Sequence, residues 1–164
     1  MKDTKNMTAT DIEIALSQYL GIRTSMLVTN VSWGLWVHEC DLLRVMDSRW
    51  AHEYEIKVSK ADIIADQHKR HKHKNCKIRS LTFAIPEHLK DCIEHIPERA
   101  GIILVDARKC CKLVRKAVLD KDARKLTEKE YLKVGKLASM RLWGMKMTIA
   151  NLINMPLRKG MVKR

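Results

Sequence analysis

Apolar positions along the chain switch between two spacings, and the switches mark its elements. Ile12, Leu16, Tyr19 and Leu20 recur at helical spacing behind Thr10-Asp11-Ile12-Glu13, which reads as a capping box, and predict a first helix that stops at Gly21. Ser25–Val31 (SMLVTNV) reads as a short strand closed by Ser32-Trp33-Gly34. Trp36–Val45 and Trp50–Val58 form two more strands around a turn at Asp47-Ser48. Ser59 with Asp62 caps a helix that is expected to run to about His71. Leu81–Ile85 (LTFAI) and Gly101–Val105 (GIILV) are continuous apolar runs, the mark of strands covered on both faces. Between them Pro86 opens a helix whose face is Leu89, Cys92, Ile93 and Ile96.

Beyond Asp106 the period is lost. Residues 108–118 fit either a strand pair or a helix. Thr127-Glu128-Lys129-Glu130 is a further capping box, and a long helix follows to about Asn154 on Leu132, Leu137, Met140, Leu142, Met145, Ile149 and Leu152. The order α-β-β-β-α-β-α-β, then helix, predicts an α/β fold. One helix between Leu81–Ile85 and Gly101–Val105 makes those strands a parallel pair beside an antiparallel hairpin. No repeat and no Pro/Gly linker divides the chain. Residues 8–106 are read as the core and residues 107–164 as a basic, mainly helical extension of the same domain.

Composition sharpens this reading. The 164 residues are 46% hydrophobic and 31% charged, which excludes a disordered polyelectrolyte. No apolar run reaches membrane-spanning length and no signal-peptide pattern opens the chain, so a cytoplasmic protein without a membrane partner is expected. Five cysteines fit free thiols better than a disulfide framework. The net charge of +13 argues for a polyanionic partner. It is unevenly spread: through Asp66 there are seven basic and ten acidic residues, and none after Glu130 is acidic. Lys69, Arg70, Lys72, Lys74, Lys77 and Arg79 follow without an intervening acid. Carboxylates that hold a cation beside lysines and arginines that hold phosphates are what a metal-dependent phosphodiesterase needs. A solvated basic loop beside an acidic surface has the same composition.

The hairpin decides which acids meet. Centred on Ser48, its cross-strand partners place Asp41 opposite Glu55 and Glu39 opposite Lys57. Glu39, Asp41, Glu53, Glu55 and Lys57 then share one face, while Cys40, Leu42, Tyr54, Ile56 and Val58 form the core face. Facing carboxylates repel unless a hard cation joins them, and the Ile56 carbonyl supplies a further oxygen. An isolated Glu-x-Lys on a strand is ordinarily a solvated row of charges. Here Asp41 stands opposite and a basic stretch follows.

Asp41 with Glu55-Ile56-Lys57 across a hairpin resembles the D…(D/E)-x-K signature of the PD-(D/E)xK nucleases, the restriction-endonuclease-like superfamily. The longer string is more specific: His38-Glu39-Cys40-Asp41, then Glu53 through Asp62, then Ala65-Asp66. With Leu81–Pro86 and IPERAG at 96–101 it is similar to the MmcB-like DNA-repair nucleases and their phage-encoded relatives, over about Thr10 to Asp106. The resemblance implies a mixed sheet with an α-β-β-β-α-β core, Asp41 and Glu55 as metal ligands, Lys57 as the catalytic lysine, and Mg2+ or Mn2+ as cofactor. It adds a glutamate from the first helix, for which Glu13 is the candidate, although Glu13 also completes the capping box. Cys40 stands where the family name has proline.

The function expected is a divalent-metal-dependent deoxyribonuclease, structure-selective or nonspecific, in phage or bacterial DNA processing or repair. The alternative is a non-catalytic nucleic-acid-binding protein acting by occupancy; RNA in place of DNA stays open. Lys60, Lys69, Arg70, Lys72, Lys74, Lys77 and Arg79 are the expected backbone contacts. His68, His71, His73 and Cys76 have no standard zinc spacing and read better as part of that phosphate-contacting edge. Adjacent Cys110 and Cys111 do not readily bridge each other and are expected to be buried thiols. Met140, Met145 and Met147 are expected to serve as core or as a self-association face, through which the C-terminal helix would form a homodimer. Trp33, Trp36 and Trp50 suit hairpin packing or base stacking. The tail from Leu157 is expected to be mobile and basic.

Overall fold

The computed structural model describes residues 4–31, 35, 37–68 and 73–154. After a 3-10 turn at Thr4–Asn6, helix α1 spans Ala9–Leu20 and strands β1 and β2 span Ser25–Val31 and Cys40–Met46. Strand β3 (Ala51–Ile56) leads to α2 (Lys60–Asp66), β4 (Ile78–Pro86), a 3-10 helix at Glu87–His95 and β5 (Gly101–Val105). Strand β6 (Cys111–Arg115) and helix α3 (Glu128–Asn154) are the last elements among the described residues. The six strands form one sheet in sequence order. β1–β2, β2–β3 and β5–β6 are antiparallel; β3–β4 and β4–β5 are parallel. The α/β class, the mixed sheet and the C-terminal helix agree with the sequence reading.

Local chemistry moves several boundaries. The cap of α1 is Thr8, not Thr10: the Asp11 amide donates to Thr8 Oγ1 at 3.2 Å, and the Thr8 amide donates to Asp11 Oδ2 at 3.0 Å. Glu13 is therefore released from capping. The helix ends at Gly21, whose φ of +77° favours glycine. Ser59 caps α2 as expected, but the helix stops at Asp66 instead of about His71. Pro86 ends β4, paired with Val105, rather than opening an α-helix. The following segment coils as a 3-10 helix, because the three-residue spacing of its buried Leu89 and Cys92 fits three residues per turn. Within 108–118, Cys111–Arg115 settles as a single strand on β5.

The β2–β3 turn is a three-residue loop that ends on Arg49 in the left-handed region, at φ +67°. Leu42 faces Tyr54 and Leu43 faces Glu53, the expected register. One sheet face packs Leu42, Tyr54, Ile56, Ala84 and Ile103 against α1 residues Ile12, Ala15 and Leu16. The other face carries two clusters. Leu43, Val45, Ala51 and Ile78 meet Leu126, just before α3, and Val134 and Leu137 within it, and Leu81, Phe83 and Ile102 meet Ile63, Leu89 and Ile96.

Helix α3 opens with the expected capping box, Thr127 with Glu130. Its expected apolar stripe is not core. Leu137 is buried, while Leu132, Met140, Leu142, Met145, Ile149 and Leu152 are exposed. At 27 residues the helix is about 40 Å long, so it outruns the seven-residue strand β1 it packs on. The tail from Leu157 lies outside the described residues. Among the described residues no helix is long and apolar enough to cross a membrane.

None of the five cysteines is in a disulfide, but Cys110 is exposed and Cys111 half-buried, so the pair is not the buried one expected. Burial, with Cys110 and Asp106 nearby, pushes the Cys111 thiol up to about 11. Alkylation of the folded protein at pH 8 should label Cys76 and Cys110 and spare Cys111, Cys40 and Cys92, as peptide mass mapping would show. Arg49→Gly should raise stability by about 0.5 kcal/mol, because arginine bears a steric cost at a positive φ. A thermal midpoint about 1–2 °C higher is the check.

Candidate active site

Strand β3 is the seam between the antiparallel and parallel halves of the sheet, and it sets the site. Side-chain alternation sends Glu53, Glu55 and then Lys57 to the face that bears the α2 and α3 clusters. Glu53 lies between Leu43 of β2 and Leu81 of β4, and Glu55 lies beside Phe83. Both carboxylates are fully buried, so this is not a solvated row of charges. The β2–β3 ladder ends at Leu42–Tyr54, one pair short of Asp41 and Glu55. There the Asp41 carboxylate takes over, as the Ile56 amide donates to Asp41 Oδ2 at 2.8 Å. Within a strand the N–H and C=O of one residue project to the same side, so the Ile56 carbonyl faces the Asp41 edge as well.

Lys57 reaches into this group. Its Nζ stands 2.5 Å from Glu55 Oε2, 3.3 Å from Asp66 Oδ1 and 3.5 Å from Asp41 Oδ2. Burial would lower the lysine's pKa, but the charges of Glu55, Asp41 and Asp66 outweigh it and hold the ammonium above its ordinary range. Asp41 is the outermost of these carboxylates, its side chain about one-third exposed. Glu13 comes near from α1. Burial, and then the charge of Asp41, raises its carboxyl above the usual range. Asp41, Glu55 and Lys57 thus converge as expected, while Glu13 is close enough to feel the charge of Asp41 but, among the described residues, joins no group of ligand atoms with Glu55. Glu39 precedes β2 and is exposed, so it does not stand opposite Lys57 within the ladder.

Sequence reasoning had not placed two residues here. Asp66 faces inward from α2 three residues after Ile63, and both are buried. A carboxylate at an apolar position of a helix was the available signal. His73 is buried with φ +52°. Its Nδ1 lies 2.6 Å from Glu53 Oε1 and its Nε2 lies 2.8 Å from Asp66 Oδ2. Burial works against the imidazolium, but hydrogen bonds to Asp66 and Glu53 and the charges of Glu53 and Glu55 prevail and raise it to about 9. His38 adds a contact 2.8 Å from each Glu53 oxygen. Burial would raise Glu53, but the bonds from His38 and His73 hold its carboxyl below the usual range. His68, His73 and Cys76 are not gathered: His73 turns to the carboxylates, while His68 and Cys76 are exposed. His71 lies outside the described residues.

The expected nucleic-acid contacts divide. Lys60 and Lys74 are exposed. Lys77 is not on the surface, because its Nζ donates to the Leu35 carbonyl and meets Glu130 at 3.1 Å. It holds the start of α3 to the sheet. The guanidinium of Arg79 stacks over Trp50 at 3.6 Å, which gives that tryptophan a packing role. Lys69, Arg70 and Lys72, with Trp33 and Trp36, lie outside the described residues. A cleft of about 350 Å³ between α2 and the residues after the second 3-10 helix reaches Asp66 and His73, with Lys74 and Arg99 on its wall.

No family model matches the chain, and no curated protein matches it. It is similar to a solved structure, the SPO1766 protein of unknown function from Silicibacter pomeroyi, with 15% identity and a TM-score of 0.64. The match covers 94% of this chain and 99% of that one. The two share a fold.

Removing the cation at the centre of this group leaves Glu55 and Asp66 buried without it. Lys57→Met should therefore lower the unfolding free energy by about 3 kcal/mol near neutral pH. Denaturant titrations of the two proteins, with circular dichroism confirming a folded variant, measure the difference.

Proposed function

We propose that the chain is a divalent-metal-dependent deoxyribonuclease of the restriction-endonuclease-like fold. The observation that carries this reading is the convergence of Asp41, Glu55 and the Lys57 ammonium at one partly open strand end. The donor set suits a hard cation: Asp41, Glu55 and the Ile56 carbonyl would hold Mg2+ or Mn2+, with Glu13 beside Asp41. Such a cation polarises a phosphoryl oxygen and lowers the pKa of its water.

The remaining chemistry belongs to the chain. Lys57, kept charged by Glu55, Asp41 and Asp66, is placed to meet the scissile phosphate and to offset charge that builds on it. Lys74 and Arg99 line the cleft beside Asp66 and His73, and with the exposed Lys60 they would follow the phosphate backbone. These contacts carry no base information, which favours structure-selective or nonspecific cutting in DNA processing. A cytoplasmic setting and a homodimer through the exposed apolar residues of α3 belong to the same proposal. A solution mass of one chain by light scattering would remove the dimer.

Wild type should cut single-stranded, duplex or branched DNA in Mg2+ or Mn2+ and stop in EDTA. Asp41→Ala and Lys57→Met, each verified as folded, should lose at least about 100-fold in rate. Tight DNA binding with no cutting in either metal would replace this reading with a protein that acts by occupancy.

A further inference from the structure

Three side chains on the inner side of the carboxylate group share one arrangement. Each has a polar atom that meets an outer partner and an atom turned toward the other two, although His38 Nε2 lies 2.8 Å from both oxygens of Glu53. Glu53 Oε2 meets His38 Nε2 at 2.8 Å, Glu55 Oε2 meets Lys57 Nζ at 2.5 Å, and His73 Nε2 meets Asp66 Oδ2 at 2.8 Å. The other three atoms gather. His73 Nδ1 stands 2.6 Å from Glu53 Oε1 and 3.8 Å from Glu55 Oε1. One ligand atom from each of the three residues lies within 4.8 Å of the others. Donors placed tetrahedrally at about 2.0–2.2 Å from a zinc ion stand about 3.3–3.6 Å apart, between the two observed separations.

We propose that Glu53, Glu55 and His73 form a second cation site, for a d-block divalent ion such as Zn2+ rather than for Mg2+. The imidazole nitrogen selects the ion class, since Mg2+ prefers oxygen donors in an octahedral, largely hydrated shell. The outer partners are those that metal ligands ordinarily have: a carboxylate behind the histidine, and donors behind each carboxylate. All three ligands are at least nine-tenths buried, which shields the ion from bulk water. The cleft that reaches Asp66 and His73 lies at the margin of the group, on the side of the histidine. His73 comes from the chain beyond α2, so the ion would tie that segment to β3. The site shares Glu55 with the Asp41 edge but does not depend on nuclease activity.

Co2+ added to metal-stripped protein is the probe, followed by its visible d–d absorption, with Zn2+ as competitor in calorimetry. In millimolar Mg2+, which would occupy the Asp41 edge, one Co2+ per chain should bind and should yield to Zn2+. His73→Ala and the near-isosteric Glu53→Gln should each weaken Co2+ at least about 100-fold, and Asp66→Asn about 10–100-fold. Asp41→Ala should leave the Co2+ spectrum and affinity unchanged. Glu53→Gln keeps the test decisive if His73→Ala does not fold. The site is refuted by an absence of Co2+ binding, by binding that survives both ligand substitutions, or by binding that Asp41→Ala abolishes. Failure of DNA cleavage with the Co2+ site intact would count against the nuclease alone.

Discussion

The Lys57 ammonium, held among Glu55, Asp66 and Asp41, is the interaction on which the rest of this structure depends. A buried ion costs several kcal/mol, and this sheet buries Glu53 and Glu55 on one strand and Asp66 on the facing helix. The cost is tolerable because cations are distributed among the carboxylates. Lys57 serves Glu55 and Asp66, while His73 bridges Glu53 and Asp66. The elements around the group follow from this need. Helix α2 must bring Asp66 down onto β3, and the chain after it must return His73 to the same place, even in a left-handed backbone conformation.

Much of the fold was legible because one signal, apolar periodicity, agreed with turn chemistry. The hairpin register followed from where the turn sat, and the structure pairs Leu42 with Tyr54 as the alternation required. Two apolar runs separated by one helical segment implied the parallel pair, and β4–β5 is parallel. Misplaced boundaries share a cause, which is competition between equivalent local signals. Thr8 and Thr10 each precede an acid by three residues, and only the geometry shows that Thr8 wins. The stripe on α3 failed because amphipathic spacing says that a helix has an apolar face, not that a partner lies beside it. Past Ala138 the helix residues are exposed, although Arg141 still donates to the Asn30 carbonyl of β1.

The site was half legible for a related reason. Asp41, Glu55 and Lys57 sit on paired strands, where alternation and register convert sequence distance into spatial distance. Asp66 and His73 reach the same place through a helix and an irregular segment, for which no such conversion exists. His73 lay inside a basic stretch, and composition assigned it to the phosphate-contacting edge. Burial reverses that assignment. Lys77 shows the same inversion, since charge counting placed it with phosphate contacts and the fold uses it to fasten Glu130 and Leu35.

The position of the site follows from what β3 must do at its end. Its antiparallel partner β2 pairs through Leu42–Tyr54, whereas its parallel partner β4 continues to Ile56–Ala84, and the Lys57 amide still donates to the Ala84 carbonyl. The strand is thus held firmly on one side while the other side opens. On the opening side the backbone groups of Ile56 lose their ladder partner, and Asp41 satisfies the amide with its carboxylate. A carboxylate that replaces a missing strand bond is fixed in position yet reaches solvent, which neither Glu53 nor Glu55 does. That contrast separates an outer edge, open to solvent, from an inner group buried between two apolar clusters. The same divergence of strands that ends the hairpin therefore creates both environments from one run of alternating residues.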